Sequence, residues 1–210
     1  MDQAAFDKAV TDGTWDWNDM YAGSQQDLQP PDPLVLETAL ALPPGRVLDV
    51  GCGAGGLLLA LTEAGWQASG IDVARRAIAA ERAVFAERGL SASLATANAA
   101  TWTPETTFDL VTNSFALPNT KDEQTAALRM MRAAVAPGGT VVIKDFDPAM
   151  IAVTGLSAFH HATLDELVAP FDGFEILRAE VVDTPPHDHD GAGAHAGERW
   201  TASFVVARRG

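Results

Sequence analysis

The chain has 210 residues and a formal charge of −14, from 28 acidic against 14 basic side chains, with 47% hydrophobic and 20% charged residues. That composition allows a sizeable core and excludes global disorder, and the length suits one compact domain with a small lid. The negative surface repels phosphate backbones and anionic lipid heads, so nucleic acid and membrane surfaces are poor partners.

Cys52 is the only cysteine, which excludes an internal disulfide, a CxxC redox pair and a Cys-based zinc site. No apolar run is long enough to span a bilayer, and the N-terminal MDQAAFDKAV has no apolar signal core, so a cytoplasmic protein is expected.

In chain order, an aromatic stretch, Trp15-Asp16-Trp17-Asn18-Asp19-Met20-Tyr21, comes first and is cut off by PPDP at 30–33. Residues 34–42 read as a short helix closed by Pro43, Pro44 and Gly45. RVLDV at 46–50 is a β-branched strand ending in glycines, and 56–64 is a helix stopped near Gly65. QASGID at 67–72 reads as a strand, 74–88 as a long helix, 91–97 as a weaker strand and 108–115 as a clear one. An amphipathic helix is expected at 121–136, then Pro137-Gly138-Gly139 and a strand at 140–146. A short helix at 163–170 precedes strands at 174–183 and 199–209, which flank a Pro-, His-, Asp- and Gly-rich loop. Alternating strands and helices predict an α/β fold: a mostly parallel sheet with helices on both faces, closed by an antiparallel edge hairpin. Ligands of such sheets bind at the carboxyl ends of the strands.

The central motif is Asp49-Val50-Gly51-Cys52-Gly53-Ala54-Gly55-Gly56, between a strand and a helix, with Asp72 twenty-one residues after Gly51. Glycines let a ligand lie against bare backbone, and an acid at the end of the second strand can accept both ribose hydroxyls. Gly51-x-Gly53-x-x-Gly56 matches a dinucleotide fingerprint. Asp49-x-Gly51-x-Gly53-x-Gly55 resembles motif I of the class I S-adenosylmethionine methyltransferases. Asp49 favours the second, because a carboxylate sits badly beside a pyrophosphate and suits an ammonium and a sulfonium. Few residues remain for a dehydrogenase's substrate domain.

The resemblance runs from about Val47 to the C-terminus and implies a Rossmann-like seven-stranded sheet with S-adenosylmethionine as cofactor. Gly70-Ile71-Asp72 resembles motif II, with Asp72 and the adjoining Val73 on the adenosine. Thr96-Ala97-Asn98-Ala99 stands where the family grips adenine, with the departure that Asn98 replaces the frequent acid. Phe108-Asp109-Leu110-Val111-Thr112-Asn113-Ser114 resembles the fourth-strand motif, which puts Asn113 and Ser114 at the cofactor. Asp49 with the loop amides of Gly51, Cys52, Gly53 and Gly55 is expected to hold the methionine end. The fourth strand lacks the Asn/Asp-Pro-Pro-aromatic sequence of base-amino methyltransferases, and no cysteine lies outside the loop for cytosine chemistry.

Trp-Asp-x-x-Tyr before the first strand resembles the N-terminal segment of small-molecule methyltransferases of the tellurite-resistance and thiopurine types. Residues 1–32 are therefore expected to be a lid that brings Trp17 and Tyr21 to the cofactor, and 33–210 the methyltransferase domain. His187 and His189, in the loop before Arg199-Trp200, resemble that group's acceptor-side histidines and are expected to orient the acceptor. The His/Asp loop also carries zinc- or nickel-type ligands, but such tracts are common in solvated loops, and no metal is expected. His160-His161 reads as a partly exposed pair near a helix start. The expected acceptor is a small molecule: a thiol or chalcogen anion first, a small O- or N-acceptor as the alternative. A non-catalytic S-adenosylmethionine sensor and an NAD-dependent oxidoreductase remain the competing readings. Self-association as a homodimer is allowed.

Overall fold

The computed structural model describes residues 8, 9, 12, 15–19, 21, 30–155, 157–185 and 198–210. Helix α1 (Pro33–Leu40) starts with proline, and Asp32 caps it by accepting from Leu34 and Val35 N–H. Then follow β1 (Arg46–Val50), α2 (Gly56–Glu63), β2 (Gln67–Asp72), α3 (Arg75–Glu87), β3 (Ser93–Thr96), β4 (Phe108–Ser114) and α4 (Lys121–Ala134). β5 (Val135–Phe146), α5 (Ile151–Thr154), α6 (Leu164–Val168), β6 (Glu175–Asp183) and β7 (Thr201–Arg208) complete the chain. Each predicted strand and helix is present within a few residues. A short 3-10 turn at Trp17–Asp19 and the 148–154 helical segment were not anticipated.

The seven strands form one sheet in the order β3-β2-β1-β4-β5-β7-β6, parallel through β5. α1, α2 and α3 pack on one face around Leu58, Leu61, Ile78 and Phe85. α4 and α6 pack on the other around Leu128, Met131, Leu167 and Phe171. The terminal hairpin is antiparallel as expected, but its last strand is not at the edge: β7 lies between β5 and β6. Its run of buried residues, Ala202 to Ala207, needs cover on both faces, whereas β6 carries mostly exposed side chains and can stand at the rim. β5 also begins earlier than predicted. α4 passes straight into Val135, which pairs with Phe108, and the Pro-Gly-Gly bulges out before pairing resumes at Thr140 opposite Leu110. Among the described residues no helix is long and apolar enough to cross a membrane.

Candidate active site

β1 delivers its carboxyl end to a loop in which Gly51, Gly53 and Gly55 have φ of 75°, 57° and 87°. Side chains avoid that left-handed region, and here there is also no room for one. A Cβ on Gly51 would lie 2.3 Å from the Ala116 Cβ, and one on Gly55 would lie 2.4 Å from the Glu81 carboxyl. Four of the loop's N–H groups are hydrogen-bonded within the protein. Gly51 and Cys52 N–H both donate to Ile71 O (2.7 and 3.1 Å), and Gly55 N–H donates to Cys52 O at 3.0 Å. Gly53 N–H donates to Asp72 Oδ2 at 2.9 Å. These four amides tie the loop to β2 and to itself.

Carboxyls surround this loop instead. Asp49 on β1 is buried and accepts from Thr112 Oγ1 at 2.7 Å. Burial pushes its pKa up to about 7 against that hydrogen bond, with the Asp72 charge adding to the rise. Asp72 ends β2, accepts Gly53 N–H on one oxygen and Ala74 N–H on the other, and is raised by burial. Each of its oxygens keeps a second lone pair for a ribose hydroxyl.

Glu81 is the third acid, and the motif reading missed it. It sits on α3, wholly buried beneath Gly55, and accepts from Cys52 Sγ at 3.1 Å. Its Oε1 has no hydrogen-bond partner among the described residues. Burial, then the charges of Asp49 and Asp72, push its pKa up to about 8. Cys52 points its thiol down into this pair, and burial raises the thiol well above its ordinary range, so it is no nucleophile. Among the described residues none of the three carboxyls is paired with Lys or Arg. An acceptor-rich cradle with no Lys or Arg partner among the described residues fits the ammonium and sulfonium of S-adenosylmethionine.

A pH test isolates Glu81. Between its ordinary pKa of 4.5 and about 8, the native state holds a proton that the unfolded chain has released. Its contribution to stability therefore falls as pH rises through that window. Glu81→Gln removes the titration while keeping the shape. Thermal unfolding should show the variant gaining on the parent between pH 5 and pH 8.5. A constant difference between the two melting curves would refute a buried neutral acid here.

The remaining expected positions sit around the same strand ends. Val73 follows Asp72 and is 48% exposed, an apolar surface beside the ribose acid. Ala97 N–H donates to Asp72 O, which brings the Asn98-Ala99 turn next to it. Asn98 Oδ1 accepts Ala100 N–H at 2.8 Å, so the amide shapes that turn and retains one lone pair. Asn113 is buried at the end of β4, donates from Nδ2 to Val50 O at 2.7 Å, and leaves Oδ1 without a partner among the described residues. Ser114 beside it is half-buried. The aromatic N-terminal stretch docks on α3: Arg76 Nη1 donates to Asn18 O at 2.8 Å, and Arg76 N–H donates to Asn18 Oδ1 at 3.2 Å. That contact brings Tyr21 over the loop, its Oη 2.9 Å from where a Gly53 Cβ would stand. Burial, then the charge of Asp72, raises the tyrosine's pKa far up, so it stays a neutral phenol. Trp17 stacks on Phe159 at 5.9 Å.

Across from the glycine loop, the ends of β4 and β5 carry an aromatic group. Phe115 and Phe146 lie 4.8 Å apart, with His161 and Trp200 at 6.1 and 6.0 Å from Phe146. Phe115 has φ of 53°, unusual for a bulky residue, and its N–H donates to Lys144 O at 2.8 Å. Asp145 adjoins this group, half-buried, accepting from Phe146 N–H at 2.8 Å and from Leu117 N–H. His187 and His189 lie outside the described residues. Of the other histidine pair, His161 is buried against Phe146, while His160 faces Glu166 at 3.3 Å. No short motif marks Glu81, Asp145 or the aromatic group. Their shared signal is a carboxyl or ring at a position that only the packing buries.

A family model described as a methyltransferase domain matches residues 25–195. The ubiquinone biosynthesis O-methyltransferase of Xanthomonas euvesicatoria pv. vesicatoria is 30% identical over 171 residues, 77% of this chain and 70% of that protein. A ribosomal RNA small subunit methyltransferase C of Alcanivorax borkumensis is 45% identical over 47 residues, 22% of this chain, and the chain spans only 14% of its length. The crystal structure of TehB from Haemophilus influenzae superposes with a TM-score of 0.68 at 19% identity, over 84% of this chain and 61% of that one, which is a likeness of fold. With the family model spanning most of the chain and the glycine loop and acids in their places, the protein belongs to the class I S-adenosylmethionine-dependent methyltransferases.

Proposed function

We propose that this protein transfers a methyl group from S-adenosylmethionine to a small-molecule acceptor at the carboxyl ends of β4 and β5. The observation that carries this reading is the cradle of Asp49, Asp72 and Glu81 around the glycine loop, with no Lys or Arg partner among the described residues. Asp49 and the loop's carbonyl oxygens are assigned to the methionine end and Asp72 to the ribose. Val73, Asn98 and Ala99 are assigned to the adenine, and Asn113 and Ser114 to the floor beneath the methyl group. Tyr21 and Trp17, on the 1–32 segment, are assigned to its cover.

When bound, S-adenosylmethionine supplies an activated methyl on a sulfonium, whose departure as a neutral thioether needs no acid. The chain's own task is positioning, which is worth about 7–11 kcal/mol when reacting atoms are held in line. Of the two expected acceptor classes, the described walls favour the small O- or N-acceptor over a thiol or chalcogen anion. Aromatic rings and the Asp145 carboxyl adjoin the site, and Lys144, beside the Phe115 ring, is already paired with Asp32. The O-methyltransferase among the relatives supports the same preference. Cytoplasmic residence is part of this reading.

Asp72→Ala should weaken S-adenosylmethionine binding by about 1.5–3 kcal/mol, the size of hydrogen bonds to a charged group. Calorimetry on the folded variant, with S-adenosylmethionine, S-adenosylhomocysteine and NAD, reads this out. Unchanged affinity for S-adenosylmethionine would sink the assignment of Asp72. Turnover on a panel of phenols, amines and thiols separates the enzyme from a sensor that binds the cofactor and transfers nothing.

A further inference from the structure

We infer that Asp145 is the general base of the acceptor site, serving a ring-bearing acceptor whose hydroxyl or amine reaches the enzyme still protonated. The inference rests on the methyl-transfer reading above and adds the acceptor's chemistry to it.

Three observations lead there. First, position: Asp145 lies one residue beyond the Ser114–Lys144 pairing of β4 with β5, level with Phe115 at the sheet's carboxyl edge. Second, surroundings: the half-buried rings of Phe115 and Phe146 lie at this edge, backed by the buried His161 and Trp200, and suit a flat apolar molecule. Third, orientation: backbone N–H groups from Phe146 and Leu117 hold the carboxylate from β5 and from the loop after β4. Each of its oxygens carries further lone pairs for an acceptor's proton.

The charges around it leave this role to Asp145. Lys144, its neighbour on β5, is bound to Asp32 at 2.6 Å. From β7 the residue opposite is Ser203, uncharged and buried. From β4 and the loop after it come Ser114, Phe115 and Leu117, all uncharged. His161 lies behind Phe146, and Asp147 caps the 148–150 turn by accepting Ala149 N–H. Burial pushes the Asp145 carboxyl up to about 7, where a base is half ionised at neutral pH and strong enough to take a proton.

The step balances. As the acceptor's oxygen or nitrogen forms its bond to the methyl carbon, the carbon–sulfur bond breaks with its pair going to sulfur. A hydroxyl passes its proton to Asp145 as its oxygen bonds the carbon; an ammonium passes its proton first, which frees the nitrogen lone pair for the attack; Asp145 then returns the proton to water. An acceptor that arrives already ionised needs no base.

The test compares Asp145→Asn with the parent enzyme on three acceptor types: a phenol, a benzylamine and a nitrothiophenol that is already ionised at pH 7. Binding of S-adenosylhomocysteine, and of each acceptor to that complex, is measured by calorimetry. The parent should bind the phenol or the benzylamine, and which one it takes identifies the accepting atom. Its kcat/KM on that acceptor should rise with pH through about 7 and then level off. Asp145→Asn should lose that pH step and roughly 10²–10⁴-fold in kcat/KM. It should keep its affinity for S-adenosylhomocysteine and its rate on the pre-ionised thiol.

An equal loss on the thiol would make Asp145 only an anchor for the Leu117 loop and overturn the proposal. So would failure of the parent to bind either protonated acceptor. Equal rates for parent and variant on a protonated acceptor would remove the base alone and leave methyl transfer standing. A parent that binds cofactor and acceptor but transfers nothing would overturn the methyl-transfer reading itself, and the base with it.

Discussion

Lys144→Met should lower the unfolding free energy by about 3–5 kcal/mol, the cost of stranding one member of a buried ion pair. Lys144 Nζ lies 2.6 Å from Asp32 Oδ2, with side chains 2% and 5% exposed. It also donates to Thr184 Oγ1 at 3.0 Å and sits 5.4 Å from the centre of the Phe115 ring. One ammonium thus joins the start of α1, the end of β5, the end of the β6 segment and the loop after β4. Methionine fills much of the volume but leaves the Asp32 carboxylate buried without its cation. Asp32 has a second duty, capping α1 through Leu34 and Val35 N–H, and that cap is worth about 1 kcal/mol. The double variant Asp32→Ser with Lys144→Met keeps a capping oxygen and removes both charges. It should recover most of the loss, because replacing a buried pair with apolar packing is often neutral. Urea unfolding of the two variants measures both. A single-variant loss under about 1 kcal/mol would mean that water reaches the pair, in the range of exposed ion pairs.

Gly51→Ala should cost the enzyme both stability and its cofactor. The φ of 75° disfavours any side chain by about 1–2 kcal/mol. The added methyl would stand 2.3 Å from the Ala116 Cβ, and relieving such overpacking costs a further ~1–3 kcal/mol. Relief requires the glycine loop or the loop after β4 to move, and these two carry the proposed walls of the methyl-transfer site. S-adenosylmethionine affinity should fall by roughly 100-fold or more, which at 1.4 kcal/mol per tenfold is within the strain just estimated. Gly89→Ala is the control. Its φ is 65°, but nothing lies within 4 Å of the added methyl, at the far end of α3. It should lose stability through strain alone and bind the cofactor as the parent does. Equal loss of binding in both variants would show that unfolding, not the site, is being read.

Local sequence determined much of this protein. Glycine and proline punctuation with period-2 and period-3.6 apolar spacing places the strands and helices, because these signals act over a few residues. The glycine loop, Asp49 and Asp72 are legible for the same reason, since motif, strand end and helix start adjoin in the chain. The place of β7 was half legible: Ala202 to Ala207 is a continuous small and apolar run, as a strand covered on both faces requires.

What only the tertiary structure decided is which polar groups lose their water. A glutamate in the middle of α3 reads as part of a solvated face, yet folding α2 and its loop over it makes Glu81 a buried acid beside Cys52, 29 residues away. Lys144 and Asp32 meet across 112 residues, and Asp145 receives the Leu117 N–H only because β4 and β5 pair side by side. Burial is a property of the assembled packing, and the raised pKa values follow from burial. The chemistry of Glu81 and Asp145 therefore appears only when distant segments pack together.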